Sequence, residues 1–215
     1  SLFGGINIIY MPTCDSIFPL PFYRSDPFPF NQKQIDYIRT YRQKTYQNVG
    51  GNYITNSCYV LNDKKLKYMK KFIAQQLTLF GTQVLKLTPQ QKLYVTQSWF
   101  NFNPKGSHHH MHDHPNSLVS GTFYIEGERN TNCIIDREYS NAVFPFIAID
   151  VTESNLFNEQ SHTISNDLHT LCLFPSRLRH SVEVNHNDVE RITLAFNCYL
   201  KGTLGVQKYR TELKI

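Results

Sequence analysis

The spacing of apolar positions changes once along the chain. Up to about residue 90 they recur at helical intervals, and beyond it they alternate with polar positions in short runs. After Asn31, the stretch QKQIDYIRTY sets Ile35 and Ile38 with Tyr37 or Tyr41 on one side, and Gly50 and Gly51 follow, which predicts a first amphipathic helix. Asn62 is placed to cap a second helix, DKKLKYMKKFIAQQLTLFG, that stops near Gly81. Its apolar stripe is Leu66, Met69, Phe72 and Ile73, so its lysines form a solvated face. Pro89 closes the helical part. Ahead of both helices, FPLPFYRSDPFPF is too aromatic for a free tail and is expected to lie over the body as an extended arm.

From Lys92 the pattern is β-type. KLYVTQSWFNF, SLVSGTFYIEG from Ser117, NCIIDR from Asn132, PFIAIDV from Pro145, HTLCLFP from His169 and RITLAFNCYL from Arg191 combine β-branched and aromatic residues between turn residues. Parallel sheets need long crossovers, and these connections do not supply them. The expected fold is therefore mainly β: a jelly-roll core over residues 91–215, with the arm and helices of residues 1–90 packed outside it, in one domain. Loops 126–132, 136–144 and 152–166 carry no motif and are expected to wall a cavity.

Composition narrows the function classes. Hydrophobic content of 40% with 13% aromatic is ordinary for a globular protein and argues against disorder. A net charge of +5, from 22 basic and 17 acidic side chains, permits an acidic partner without arguing for one. The basic run 64–71 belongs to the helix face, and no reading motif accompanies it, so nucleic acid is not an expected partner. No apolar run is long enough for a bilayer, and no signal-type segment opens the chain. The five cysteines are scattered and odd in number, with no CxxC pair, which speaks against a disulfide framework or a thiolate zinc site. The expectation is a soluble protein of a reducing cytoplasm, or of the host cytoplasm if the source is viral.

Candidate chemistry is concentrated in GSHHHMHDHPNSLVSGTFY, residues 106–124, where five of the nine histidines stand at 108, 109, 110, 112 and 114. In extended chain, residues i and i+2 share a face, so His112 and His114 can address one metal ion, with His110 a third candidate on that side. A ligand from a remote segment is expected as well, and His180 in LFPSRLRHSVEV follows a strand and a short basic loop. In RITLAFN, Arg191, Thr193, Ala195 and Asn197 line one face while Ile192, Leu194 and Phe196 line the other. The second set reads as core and the first as a polar pocket. An arginine fixed on a strand suits a bidentate pair with a carboxylate, which a hydroxyl two residues on can supplement.

HDHPNSLVSGTFYI, LFPSRLRH and RITLAFN, together with SWFN from Ser98 to Asn101, resemble the Fe(II)/2-oxoglutarate-dependent oxygenases, in particular a prolyl-hydroxylase-like branch found in bacteria and phages. The resemblance covers roughly the C-terminal half. It implies a double-stranded β-helix holding ferrous iron, with 2-oxoglutarate as co-substrate, molecular oxygen, and a small-molecule or peptide substrate hydroxylated at a C–H bond. It implies that His112 and His180 are iron ligands, that Arg191 and Thr193 hold the distal carboxylate of 2-oxoglutarate with Tyr124 nearby, and that Asn101 and Asn197 lie on the substrate wall.

One position departs from the family pattern. Two residues after His112, where the family has Asp or Glu, stands His114, and Asp113 lies between them, off that face in a regular strand. Three arrangements follow: His112, His114 and His180 as three neutral imidazoles, which is the preferred set; Asp113 turned in where the strand ends; or His110 paired with His112. Two other functions fit the same residues, a cupin-like three-histidine enzyme without keto-acid co-substrate and a non-catalytic jelly-roll module of binding or virion type. A homodimer is compatible with the sequence, and the primary substrate is not legible in it.

Overall fold

The computed structural model describes residues 13–138, 142–143, 147 and 150–215. Twelve strands and two α-helices make up the regular structure of these residues. The strands are β1 (Tyr23–Arg24), β2 (Thr45–Gln47), β3 (Tyr53–Thr55), β4 (Gln91–Asn103), β5 (His109–His112), β6 (Val119–Glu126), β7 (Asn130–Asp136), β8 (Ser161–Asp167), β9 (Leu171–Pro175), β10 (His180–Val182), β11 (Arg191–Leu204) and β12 (Leu213–Lys214); the helices are α1 (Gln32–Arg39) and α2 (Lys67–Leu79). A major sheet runs β1-β9-β6-β11-β4-β3-β2 with β12 beside β11, and a minor sheet runs β5-β10-β7-β8. Each pairing between these strands is antiparallel, and the two sheets form the jelly roll that the alternating pattern predicts.

The main apolar cluster lies on one side of the major sheet, and a smaller one of Tyr124, Cys172, Phe174 and Leu178 lies on the other. Ile192, Leu194 and Phe196 of β11 stand opposite Phe102, Phe100 and Ser98 of β4, and directly paired residues share a face. These side chains join Ile38 of α1 and Leu66, Met69, Ile73 and Leu77 around α2 in the main hydrophobic cluster. The main core thus lies between the major sheet and the helices, outside the jelly roll. Each fully buried Leu, Ile or Phe here contributes about 1.5–3 kcal/mol. Gly121 of β6 belongs to this face: a Cβ there would come within 2.2 Å of the Phe196 ring, so its lack of a side chain is what lets that ring lie flat.

Local chemistry explains where the helices begin. Asn31 caps α1 in a reciprocal capping box with Gln34. The predicted cap of the second helix needs correction: the α-helix starts at Lys67, after Leu66, which makes no side-chain capping bond. Asn62 is taken up in a 3₁₀ turn that buries Val60 and Leu61, and the Asp63 carboxylate accepts instead from the Lys65 N–H at 2.8 Å. Asp63 also accepts from the Tyr37 and Tyr41 hydroxyls, the latter at 2.6 Å, and those bonds hold its carboxyl below the usual carboxylate range while tying α1 to the start of α2. The lysines of 64–71 are exposed, as the helical spacing requires.

The arm expected over the body is present in its described part. Tyr23, Phe28 and Phe30 pack on the main cluster, and β1 pairs with β9. Two strand expectations need correction. Most of PFIAIDV lies outside the described residues, and Ile147, Asp150 and Val151 within it are not in a strand. Loop 152–166 contains most of β8, which pairs with β7 along its whole length. SHTISND escapes the sequence signal because five of its seven side chains are exposed on a sheet edge, leaving only Ile164 half-buried and Asn166 buried.

Candidate metal centre

β5 and β10 are neighbours in the minor sheet, and their register sets His112 directly opposite His180. The His112 and His180 rings are 4.4 Å apart between centroids, and His114 lies 4.9 Å from His112 and 5.2 Å from His180. One nitrogen from each of the three falls within 4.8 Å of the others, a spread that side-chain rotation can close on one ion. Two of the rings are oriented alike. The Nδ1 of His112 is 2.8 Å from the His110 carbonyl, and the Nδ1 of His180 is 2.8 Å from the Leu178 carbonyl. A proton on Nδ1 satisfies each carbonyl and leaves Nε2 with its lone pair, which is the tautomer a metal needs.

β5 ends at His112, so Asp113 and His114 lie just beyond the strand. His114 is held there by its backbone N–H, which donates to the Ser176 carbonyl at 3.1 Å, and by its ring beside Trp99 at 5.9 Å. Asp113 is exposed. The structure therefore brings together His112, His114 and His180, while Asp113 stays outside the group and His110, whose buried Nδ1 has no partner, is not one of the three.

Burial keeps these imidazoles neutral. Loss of hydration is the largest cause in each case, followed by repulsion from His180 and His112 for His114, and from His112 for His180. His114 is pushed down to about 3 and His180 to about 4, and His112 moves the same way. An unprotonated imidazole is the ligand form, and three such nitrogens suit a divalent first-row metal.

The polar face predicted for β11 looks toward this cluster. Trp99, Asn101 and Asn103 share one side of β4, opposite Ala195, Thr193 and Arg191, and Trp99 of that set meets His114. Tyr124 stands opposite Thr193 on the other flank. Arg191 is 4% exposed, and among the described residues no carboxylate lies within salt-bridge distance of it. Its guanidinium donates to the Glu183 carbonyl at 3.0 Å, which fixes the direction of the fork. Burial lowers its pKa, and the nearby Tyr124 raises it. Glu128 and Glu183 act on it only from beyond salt-bridge distance, so the buried cation has no contact carboxylate and this corner fits an anionic ligand. Asn101 donates to Thr193 Oγ1 at 3.4 Å and leaves its buried Oδ1 unpaired. Asn197, further along, sits in a closed network with Ser120 and Gln97.

Three residues on this inner surface escape the sequence reading. A bulge in the β5–β10 pairing sets His109 opposite Val182 only two register steps from His180, so His109 joins His112 on the inner side, with rings 4.5 Å apart. No sequence signal announces such a bulge. Asn103 continues the alternation of FNFN and was legible in principle; its Nδ2 is buried without a partner. Asn52, fully buried with both side-chain atoms unpaired, follows two glycines of positive φ, a turn that conceals its strand-like placement.

Fold and site together describe a jelly roll with a three-imidazole group that could hold a metal and a buried arginine on the neighbouring strand face. Residues 97–197, which carry this centre and the arginine, match the family described as "Putative 2OG-Fe(II) oxygenase". A comparison with curated protein sequences finds no match. Solved structures share the fold. A prolyl-4-hydroxylase of Pseudomonas putida is 13% identical over 83% of this chain and 92% of its own, with a TM-score of 0.51. HygX of Streptomyces hygroscopicus, solved with nickel, 2-oxoglutarate and hygromycin B, is 12% identical over 82% of each chain, with a TM-score of 0.52. A prolyl hydroxylase of Trichoplax adhaerens in complex with a peptide fragment is 12% identical over 83% of each chain, with a TM-score of 0.53.

Proposed function

We propose that the chain hydroxylates a C–H bond of its substrate with His112, His114 and His180 as ligands of Fe(II) and Arg191 as the clamp for 2-oxoglutarate. The balance is R–H + O₂ + 2-oxoglutarate → R–OH + succinate + CO₂, and the iron, when bound, supplies the activation of oxygen. The chain's own residues orient and shield. The carbonyls of His110 and Leu178 hold two imidazoles in the metal-ready tautomer. Arg191 pairs with the distal carboxylate of the diacid, Thr193 adds a hydroxyl beside it, and buried Tyr124 closes the same corner. Asn101 offers its free Oδ1 to the substrate, and Asn197, held by Ser120 and Gln97, stands further along the same wall. Phe174, with its ring 4.7 Å from His180, and Leu178 exclude water on the other side. No helix among the described residues is long and apolar enough to cross a membrane.

The observation that carries this reading is the pairing of a three-imidazole group with a buried arginine that has no carboxylate partner. A cupin-like enzyme without keto acid uses the first and has no need of the second. Anaerobic addition of Fe(II) and 2-oxoglutarate is expected to give a visible charge-transfer band that His180→Ala abolishes and that Arg191→Gln shifts to much higher 2-oxoglutarate concentration. A band unchanged in His180→Ala contradicts the ligand set. Turnover indifferent to Arg191→Gln supports the cupin-like alternative.

A further inference from the structure

β8 is the last strand of the minor sheet, and its outer edge borders a cleft of about 780 Å³ whose other bank is the arm segment 16–24. The Arg137 N–H donates to the Gln160 carbonyl, and the Leu168 N–H donates to the Arg129 carbonyl, which fixes the phase of the ladder. Even-numbered residues of β8 turn their main-chain groups to β7, so Ser161, Thr163 and Ser165 turn theirs to the cleft. Of these groups, the Ser165 carbonyl accepts from the Arg24 guanidinium at 3.0 Å, and no hydrogen bond occupies the main chain of Ser161 or Thr163 on that side among the described residues. An edge of this kind is a template for another extended chain.

The cleft also has an apolar rim and leads to the metal centre. Ile17, Phe18 and Leu156 on its rim are 77%, 92% and 62% exposed, which is unusual for large side chains gathered around one opening. Its floor holds Ile135 and Leu178. Ile135 is the direct cross-strand neighbour of His180, about 5 Å away across the ladder, and Leu178 carries the carbonyl that orients the His180 ring. The row His112, His180, Ile135 and His162 therefore runs from the imidazoles to the cleft on one face of the sheet.

We infer that the primary substrate is an extended polypeptide, bound as an added strand on the open edge of β8. Its main chain pairs with Ser161 and Thr163, its apolar side chains settle on Ile17, Phe18 and Leu156, and its target residue passes over Ile135 and Leu178 to the imidazoles. Backbone pairing supplies affinity with little demand on sequence, and the rim supplies the preference. This inference rests on the oxygenase reading and adds the substrate class to it.

Thr163→Pro tests it selectively, because the lost N–H is one the β7 ladder does not use and proline is tolerated on such an edge. Dodecapeptides are selected from a random library on the chain loaded with Fe(II) and 2-oxoglutarate under nitrogen. They are expected to bind Thr163→Pro about tenfold or more weakly than wild type or Thr163→Val, while all three proteins keep the charge-transfer band. In wild type, the selected peptides are expected to slow hydrogen exchange at the Ser161 and Thr163 amides, a readout that stands even if the proline variant does not fold. Failure to enrich any peptide overturns the inference. So do peptides indifferent to Thr163→Pro that leave both amides unprotected, and so does peptide-free dimerisation abolished by Thr163→Pro, which would give the edge to a second copy of the chain. Absence of the band in wild type is a separate result and counts against the oxygenase reading alone.

Discussion

Phe100 and Asn101 are adjacent in β4, and both are buried. Phe100 points to the helices, where its ring meets Tyr41 at 5.0 Å in a close-packed cluster. Asn101 points into the jelly roll beside Thr193, with an amide oxygen that nothing in the described chain satisfies. The same contrast holds for Leu194 against Thr193 and for Ile192 against Arg191. One face of the sheet is finished and holds the molecule together. The other combines a small apolar cluster with buried polar atoms that have no partner among the described residues.

The comparison is broken or sharpened by substituting the two faces in turn. Phe100→Ala is expected to cost about 3–5 kcal/mol in urea unfolding, whereas Asn101→Ala costs less than about 1 kcal/mol, because it removes an unpaired amide along with a long hydrogen bond. Equal losses would mean that the inner face is core after all. Next, Arg191→Gln is expected to raise the apparent KM for 2-oxoglutarate by roughly 30–1,000-fold, equivalent to about 2–4 kcal/mol, with the folded state and metal content retained. Steady-state succinate formation against co-substrate concentration reads this directly. On the finished face, Gly121→Ala drives a methyl into the Phe196 ring and is expected to cost about 1–3 kcal/mol, measured by the same urea midpoint.

The remaining effect is on the inner face and depends on pH. His180 and His114 titrate at about 4 and about 3 in the folded metal-free protein, below the ordinary 6.5, so the folded state binds fewer protons than the unfolded chain across that window. Stability of the metal-free protein is therefore full above pH 6.5 and falls as pH drops from 6.5 toward 4. Between pH 7.5 and 5 the loss is on the order of 2 kcal/mol for each of these two imidazoles. A urea midpoint that rises on acidification would mean that the imidazoles are not buried as neutral groups.

Much of this division was legible in the sequence, because period-two alternation in RITLAFN and SWFNFN separates the faces residue by residue. The helices were legible for the same reason at period 3.6, apart from the start of the second, which two 3₁₀ turns over Val60–Asn62 and Lys64–Leu66 move from Asn62 to Lys67. His112, His114 and His180 could be proposed as a group from spacing alone. That the strand stops at His112, leaving His114 to converge by a backbone bond to Ser176, depends on a contact remote in sequence. The bulge that turns His109 inward and the polar edge strand β8 were hidden for the same kind of reason, since neither has a local apolar signal. Asn52 was masked by the glycine turn before it.

The claim at the centre of the account is that a histidine replaces the carboxylate in the metal set, and paired Fe(II) titrations of His114→Ala and Asp113→Ala test it most directly. The expected result is a loss of Fe(II) affinity on the order of 100-fold or more for His114→Ala, with Asp113→Ala close to wild type. The reverse ranking, with Asp113→Ala losing the metal and His114→Ala keeping it, would contradict the account.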